Sequence, residues 1–298
     1  MKAVTATTRV SFRNVLFLTD FSQPSEGALP FAMAIARAYG SKISVLHVLQ
    51  PDPLLYSTPT SIALVEEAQE DTAKARMQGV SAQLAGLPHQ TILEWGAGVW
   101  PSVEQALRSS AIDLIVVGTH GRTGAEKLLL GSVAEDIFRR SPVPVLTVGP
   151  TVSKGTHGGG RFHCVLFATD FSAHSLAALP YALSLAQENQ ARLILLHVLQ
   201  HNGLNAPSLS QTAIAAALSR MKDLIPEGCD NWCQVGTLVE SGEPAPRILE
   251  IAKRHDADLI VLGVRSLTES LGAATHLGRA TAHKVVAHAQ CPVLTVRV

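Results

Sequence analysis

The stretch VLFLTDFS at residues 15–22 decides the fold, because its recurrence divides the chain into two similar halves. It recurs as VLFATDFS at residues 165–172, with a single substitution. Three further blocks recur in the same order and at similar offsets, so the chain is a tandem repeat of two similar domains. These blocks are LHVLQ (46–50 and 196–200), DLIVVG and DLIVLG (113–118 and 258–263), and PVLTV (144–148 and 292–296).

The segment between the copies is GPTVSKGTHGGG, residues 149–160. Its glycines and small polar residues do not support a packed element, so we interpret it as a linker. We expect the first domain over residues 1–149, the linker over residues 150–161 and the second domain over residues 162–298. A chain of 298 residues suits two domains of ordinary size.

Each copy alternates short apolar runs with segments of helical spacing. Runs that are apolar at nearly every position are typical of parallel strands buried on both faces. This alternation predicts a doubly wound parallel α/β sheet, in which ligands bind beyond the carboxyl ends of the strands. In the first copy the predicted strands are 15–19, 43–49, 91–95, 112–117 and 143–148, and the predicted helices are 24–39, 61–84, 101–109 and 132–139.

The composition narrows the function classes. The formal net charge is zero and neither half has a basic excess, which argues against nucleic-acid partners and anionic membranes. No apolar run approaches the ~18–20 residues that cross a bilayer. The first thirteen residues lack the apolar core of a secretory signal, and four cysteines are too few for a disulfide scaffold. We therefore expect a soluble, cytoplasmic protein.

Two kinds of residue mark the predicted ligand edge of the sheet. Asp20 and Asp170 follow the first strand of each copy, where a carboxylate can accept hydrogen bonds from a ribose or an adenine amino group, or can cap the turn. Ser22 and Ser172 are predicted helix N-caps. After the fourth strand, glycines at G-x2-G-x9-G-S spacing precede a helix whose free amides attract anions.

These motifs resemble the universal stress proteins (UspA-like) of the ATP-binding type, and the resemblance covers nearly all of both copies. It rests on the TDFS turn, the LHV strand end, the DLIVVG strand, the GTHGRTG…GS loop of residues 118–132 and the terminal PVLTV strand. The resemblance implies a Rossmann-like, adenine nucleotide alpha hydrolase-like fold with five strands in the order 3-2-1-4-5. It also implies ATP at the switch between strands one and four, in several members with Mg²⁺. The last strands, 143–148 and 293–298, resemble the family's dimerisation edge, so we expect an intrachain pseudo-dimer; the sequence leaves open a further homodimer.

The resemblance also assigns site residues. Asp20 lies near adenine and ribose in this scheme, and the backbone of Val48 contacts the adenine. The residues that hold ribose and phosphates by resemblance are Gly118, Gly121, Gly131, Ser132 and the amide of Val133.

The second copy departs from this pattern at the glycine loop. Ser266 stands where the first copy has Gly121, eleven residues instead of nine precede Gly278, and Arg279 replaces the serine. A Cβ at a point of close approach and a displaced helix start both weaken anion binding. We therefore expect a weakened or altered second site. Its candidate residues are Asp170, Val198, Gly263, Gly278 and Arg279.

Several chemically suggestive residues have a structural interpretation. His47 and His197 are predicted to line the core or the pocket with one ring nitrogen satisfied. All four cysteines are predicted to be unbridged, since the C-x3-C pair Cys229 and Cys233 lacks a second ligand pair for zinc. No metal ligand is assigned.

Two functions remain open from the sequence. The first is a nucleotide-sensing regulator that acts on an unidentified protein partner. The second is a slow ATPase or phosphotransfer enzyme, for which Asp20 is the one acidic residue at the strand ends and no general base stands out, so no catalytic residue is assigned. A receiver domain is excluded, because no acceptor aspartate follows strand three. A dinucleotide oxidoreductase lacks its G-x-G-x-x-G turn.

Overall fold

The computed structural model describes residues 10–51, 59–119, 130–150, 152, 161–200, 211–265 and 277–297, except for the side chains of residues 59–62, 230 and 277–280. Each predicted element of the first copy is present, with boundaries that differ by at most two residues. The elements are β1 (Asn14–Leu18), α1 (Gln23–Tyr39), β2 (Lys42–Leu49), α2 (Pro59–Gln83), β3 (His89–Trp95), α3 (Val99–Ser110), β4 (Leu114–Gly118), α4 (Ser132–Arg140) and β5 (Val145–Val148).

The second copy repeats this order, with its first helix divided into two pieces. The pieces are separated by Ala177 and Ala178, whereas α1 continues past Pro30, the counterpart of Pro180. The elements are β6 (Cys164–Ala168), α5 (Ala173–Leu176), α6 (Leu179–Asn189), β7 (Arg192–Leu199), α7 (Gln211–Lys222), β8 (Val235–Ser241), α8 (Pro244–Arg254), β9 (Leu259–Val264), α9 (Leu277–His288) and β10 (Val293–Arg297).

All ten strands form one sheet in the order β3-β2-β1-β4-β5-β10-β9-β6-β7-β8. Each half has the predicted order 3-2-1-4-5, and every pairing within a half is parallel. The two halves join through β5 and β10, which pair antiparallel with Leu146 opposite Leu294. The expected intrachain pseudo-dimer is therefore present, and it forms through the predicted edge.

The sheet is buried on both faces because helices cover each side. On one face, α1, α2, α6 and α7 contribute to a core that includes Phe12, Phe17, Phe162 and Phe167. On the other face, α3, α4, α8 and α9 pack on a core that includes Ile115. Burial on both sides explains why the central strands read as continuous apolar runs.

Side chains reinforce the joint between the halves. The Thr147 hydroxyl donates to the Val293 carbonyl at 3.1 Å, and the Thr295 hydroxyl donates to the Val145 carbonyl at 3.3 Å. On the α1–α6 side, the Tyr39 hydroxyl lies 2.9 Å from the Ser184 hydroxyl. The two copies are therefore held by the sheet and by helix contacts as well.

The aspartate of each DLIVxG block ties two strand starts together. Asp113 accepts hydrogen bonds from the amides of Arg13 and Asn14 at 2.7 and 3.2 Å. Asp258 accepts the equivalent amides of His163 and Cys164 at 2.6 and 2.9 Å. These aspartates lie at the amino ends of the strands, opposite the expected ligand edge, so their role is structural. None of the described helices is both long and apolar enough to span a membrane.

Candidate functional site

The carboxyl ends of β1, β2 and β4 surround a cavity of about 660 Å³, which we call cavity 1. It lies where the strand order reverses between β1 and β4, the position at which open α/β sheets bind ligands. Six of the seven residues predicted for the first site line it, and the seventh, Gly121, lies outside the described residues. These six are Asp20, Val48, Gly118, Gly131, Ser132 and Val133.

The turn after β1 is fixed by its own side chains. The Asp20 Oδ1 accepts the Ser22 amide at 2.9 Å, and the Thr19 hydroxyl accepts the Phe21 amide at 3.0 Å. Ser22 is the N-cap of α1, as predicted, because its hydroxyl accepts the Ser25 amide. Asp20 therefore caps the turn and lines the cavity at once, so the two interpretations offered by the sequence are compatible.

The environment of Asp20 keeps it ionised. Partial burial by itself raises the pKa of Asp20, but hydrogen bonds from the side chain and backbone of Ser22 and from Ser25 outweigh burial. The net pKa lies below the ordinary aspartate value. A carboxylate with a lowered pKa is a good hydrogen-bond acceptor and a poor general base at neutral pH.

An aromatic and cationic stack forms one wall of cavity 1. Phe21 adopts a positive φ of 59°, and its ring centroid lies 4.3 Å from that of His47. His47 is buried, and its Nδ1 donates to the Thr19 carbonyl at 2.8 Å, as expected for a pocket-wall histidine. The guanidinium of Arg76, on α2, lies 5.7 Å from the centre of the Phe21 ring.

Val48 occupies the part of β2 that extends beyond its neighbour. The pairing of β1 with β2 ends at Leu18 opposite Leu46, whereas β2 continues to Leu49. The backbone of Val48 is thus placed beside the point where β1 leaves the sheet. This geometry is compatible with the adenine contact that the resemblance implies for Val48.

Gly118 lines cavity 1 and also has a packing role. A Cβ at this position would lie 2.8 Å from the Pro24 carbonyl oxygen and 3.0 Å from the Ser25 Cα. The start of α1 packs directly on the end of β4, so the glycine serves helix–strand packing. Gly263 has the same role, because a Cβ there would overlap the His174 carbonyl.

The N-terminus of α4 opens into cavity 1. Gly131 is the N-cap, with extended backbone (φ −60°, ψ 148°) and no side-chain cap. Its amide donates to the Thr119 carbonyl at 2.6 Å, which fixes the helix start beside the end of β4. Ser132 and Val133 are the first helical residues, where backbone amides lack intrahelical partners. Such amides, together with the helix dipole, make an anion-binding position.

A second cavity, of about 490 Å³, lies at the equivalent edge of the other half and is called cavity 2. Asp170, Val198 and Gly263 line it, as the repeat predicts. Asp170 accepts the Ser172 amide at 2.9 Å, and His197 Nδ1 donates to the Thr169 carbonyl at 2.8 Å. The side of cavity 1 formed by the first two strands is therefore reproduced in cavity 2.

The side of cavity 2 that corresponds to the glycine loop differs from that of cavity 1. The alignment of α9 with α4 that was expected from the sequence shifts by one residue. The buried residues Ala282, Val285 and Val286 of α9 match Ala134, Ile137 and Phe138 of α4 at a constant offset. Arg279 thus stands opposite Gly131, not opposite Ser132, because burial aligns the helices.

Helix α9 begins earlier than its counterpart in that register. Its first residue, Leu277, comes three positions before the counterpart of Ser132. Gly278 and Arg279 lie within the helix, and their side chains are outside the described residues. The start of α9 thus differs from that of α4 in the opposite sense to the one predicted: the helix begins earlier instead of moving away from the strand.

Two polar residues of α2 line cavity 1 but were not singled out in the sequence. Gln69 and Arg76 reach cavity 1 from α2. No motif marks them, because α2 lies far along the chain and its polar face is ordinary for an exposed helix. Arg76 recurs in the second copy as Arg220, and this repetition is the sequence signal that could have identified it. Arg220 lies 4.1 Å from the centre of the Phe171 ring.

Within the described ranges, cavity 1 is lined by neither a cysteine nor a cluster of metal-ligating side chains. Among the described residues, no three histidine, cysteine or acidic side chains converge to hold a metal ion. All four cysteines are buried, and none of them forms a disulfide, as predicted. Burial raises the pKa of the Cys291 thiol to about 12, which makes it unreactive at neutral pH.

Comparison with known proteins gives the family. The model of the universal stress protein family matches residues 11–149 and again residues 161–297. Universal stress protein MJ0531 of Methanocaldococcus jannaschii is 33% identical over 144 residues, which cover 46% of this chain and 82% of that protein.

Solved structures extend the likeness to both halves. A universal stress protein from Archaeoglobus fulgidus shares the fold over 95% of this chain and 98% of its own, with a TM-score of 0.68 and 24% identity. Another universal stress protein, solved in complex with cAMP, covers 46% of this chain and 97% of its own, with 24% identity and a TM-score of 0.33. The chain therefore belongs to the universal stress protein family and carries two of its domains in tandem.

Proposed function

We propose that cavity 1 binds an adenine nucleotide, with ATP as the first candidate, and that the protein is a nucleotide-dependent regulator in the stress response. One observation carries the proposal. The free helix start of α4 faces the same cavity as the Asp20 carboxylate and the Val48 backbone. A single ligand with an anionic end and a hydrogen-bonding end fits that arrangement.

The phosphate end is supported by the chemistry of the α4 start. Gly131 leaves room for close approach, and Gly131 rather than Ser132 occupies the N-cap position. The Ser132 hydroxyl therefore does not cap the helix and can donate to an anion. Arg76 adds a cation to the same cavity from the opposite side. Both groups favour a phosphate over a neutral ligand.

Magnesium belongs to this proposal only through the nucleotide. Asp20 is the single acidic residue among the described residues that line cavity 1, and one carboxylate does not make a protein-held Mg²⁺ site. If Mg²⁺ accompanies ATP, we expect the phosphates to hold it, with water completing its coordination.

A slow ATPase or phosphotransfer enzyme is the second candidate. Asp20 is the acid at the strand ends that the sequence offered, and it caps its own turn with a lowered pKa. His47 uses Nδ1 to bind the Thr19 carbonyl. The lowered pKa of Asp20 disfavours proton abstraction from a water molecule, and the Nδ1 hydrogen bond of His47 leaves Nε2 as the one ring nitrogen that could accept a proton. We infer a binding protein, whose output passes to a protein partner.

We infer that cavity 2 is a weakened or altered site. The early start of α9 moves its free amides away from the positions equivalent to Ser132 and Val133. The cytoplasm is the compartment we propose, since the four cysteines are unbridged.

The test is to extract the purified protein under denaturing conditions and to measure released nucleotides by chromatography and mass spectrometry. We expect one ATP per chain. Two per chain would contradict the weakened second site, and ADP alone would favour the ATPase, to be followed by a turnover assay. If none is released, titration with ATP and Mg²⁺ decides, and absence of binding there would overturn the proposal. In such a titration, Gly121→Val is expected to abolish binding while the fold is retained.

A further inference from the structure

Arg297, at the end of β10, connects the two halves in an unusual way. Its Nη2 donates to the Phe138 carbonyl in the first domain at 2.6 Å, and its Nη1 donates to the Arg265 carbonyl in the second domain at 2.8 Å. Its Nε is buried and has no hydrogen-bond partner. One guanidinium thus bridges the carbonyl groups of two elements from different domains.

The charge of Arg297 is not balanced by an acid within the described part of the chain. Burial lowers the pKa of Arg297, and neither an ion pair nor an acidic neighbour accompanies that effect. A half-buried cation bound only by carbonyls loses part of its hydration without gaining a counter-charge. The Phe138 carbonyl lies in the last turn of α4, where carbonyls lack intrahelical partners and a cation is favourable.

Through α4, Arg297 is linked to cavity 1. The helix has nine residues, and its first two, Ser132 and Val133, line the cavity. At the other end the helix is held by Arg297. The buried residues Ala134 and Ile137 fix the face between these ends. A short helix moves as a rigid body, so its anchor at one end sets the direction of the amides at the other.

Arg297 is also linked directly to cavity 2. Arg265 follows β9 and lines that cavity. Its carbonyl accepts Nη1 of Arg297, so the backbone at the rim of cavity 2 and the end of α4 share one donor group.

This contact is asymmetric between the two domains. The PVLTV repeat places Gly149 at the position equivalent to Arg297. A glycine has no side chain to reach the end of α9. The tandem arrangement therefore differs from a symmetric dimer: the second domain holds the site helix of the first, and the equivalent position of the first domain offers no such contact.

We propose that Arg297 is a positioning residue through which the second domain holds α4 in its nucleotide-binding orientation and couples cavity 1 to the rim of cavity 2. This inference rests on the proposed nucleotide binding in cavity 1. It assigns the second domain a regulatory task in place of a full nucleotide site. By linkage, any ligand that shifts Arg265 changes the affinity of cavity 1 for nucleotide.

The test compares the full chain with Arg297→Gln and Arg297→Lys. ATP affinity is measured by calorimetry, and hydrogen exchange of residues 132–140 and 259–265 is followed with and without ATP. For Arg297→Gln we expect ATP affinity to fall by about fivefold or more, exchange in α4 to rise, and the response of residues 259–265 to ATP to be lost. Arg297→Lys keeps the charge and a donor, and it is expected to restore part of each effect.

Arg254→Gln is the matched control, since Arg254 is an exposed arginine of the same domain paired with Glu240 and Glu250. It is expected to leave both readouts unchanged. Wild-type ATP affinity in Arg297→Gln would overturn the inference. It would also be overturned if ATP did not change the hydrogen exchange of residues 259–265 in the wild type. If the wild type binds no ATP, the proposed function fails separately, and unchanged exchange of α4 in the variants overturns the role of Arg297. If Arg297→Gln does not fold, Arg297→Lys carries the same comparison.

Discussion

The carbonyl oxygen of Pro24 lies 2.8 Å from the point where Gly118 would carry a Cβ. That distance is shorter than side chains tolerate against backbone, so α1 and β4 meet only because residue 118 is glycine. The same relationship joins His174 and Gly263 in the second half. A feature that resembles part of a phosphate loop is therefore first a packing requirement.

Gly118→Ala is expected to destabilise the protein by about 1–3 kcal/mol, because the start of α1 must shift away from β4. Unfolding in urea at neutral pH measures the change. Gly79→Ala is the matched control, since a Cβ there meets nothing within 4 Å and the residue lies inside α2. This control is expected to gain about 0.5–1 kcal/mol. Equal stability of Gly118→Ala and wild type would refute the packing role.

Ser132→Ala separates ligand binding from helix capping. Because Gly131 is the N-cap, removal of the Ser132 hydroxyl is expected to change stability by less than about 0.5 kcal/mol. If the hydroxyl donates to a phosphate, ATP affinity falls by roughly tenfold. Calorimetric titration and thermal unfolding measure the two effects. Ser22→Ala is the contrasting variant, because Ser22 caps α1 and its loss costs about 1 kcal/mol. Unchanged affinity in Ser132→Ala would remove that residue from the site.

Arg76→Gln tests the cation of cavity 1. Arg76 is exposed, so solvent screens it, and we expect ATP affinity to fall by up to about fivefold. The loss is expected to be smaller for adenosine and to shrink as salt concentration rises. Arg220→Gln is the matched control, because Arg220 stacks on Phe171 and is not among the residues that line cavity 2. Equal losses for ATP and adenosine would show that Arg76 does not recognise phosphate.

The fold could be predicted well from the sequence because it depends on local residue patterns. Continuous apolar runs mark the buried strands, and Ser22 and Gly40 mark the ends of α1. The pairing of β5 with β10 was expected from the resemblance of both PVLTV strands to the family's dimerisation edge.

The sequence predicted the site less completely, because contacts between distant segments leave no local pattern. Arg76 reaches cavity 1 from a different helix, and Arg297 bridges to Phe138 across the domain joint. The register of Arg279 against Gly131 became visible only through the buried faces of α4 and α9. Motif spacing counts residues along the chain, whereas burial decides which of them stand in equivalent places.

Asp20 makes the stability of the fold depend on pH in the acidic range. Its hydrogen bonds with Ser22 and Ser25 hold the folded-state pKa below the ordinary value, even though partial burial acts in the opposite direction. A carboxylate with a lowered folded pKa stabilises the fold above its unfolded pKa, and this contribution disappears as the pH falls through the folded value. Its contribution is therefore complete at neutral pH and declines below about pH 4.

Asp20→Asn keeps the shape of the turn and removes this titration. The variant is expected to lose less than about 1 kcal/mol at pH 7 and to approach wild-type stability as the pH falls through the lowered pKa of Asp20, where Asp20 itself becomes protonated. Urea unfolding at pH 7, 5, 4 and 3 measures the difference at each pH. Asp170→Asn is the matched variant, because Asp170 makes the same hydrogen bond with Ser172 and its pKa is lowered in the same way. The two variants should show the same pH profile, and a gap between wild type and Asp20→Asn that widens in acid would contradict the assigned direction of the pKa shift.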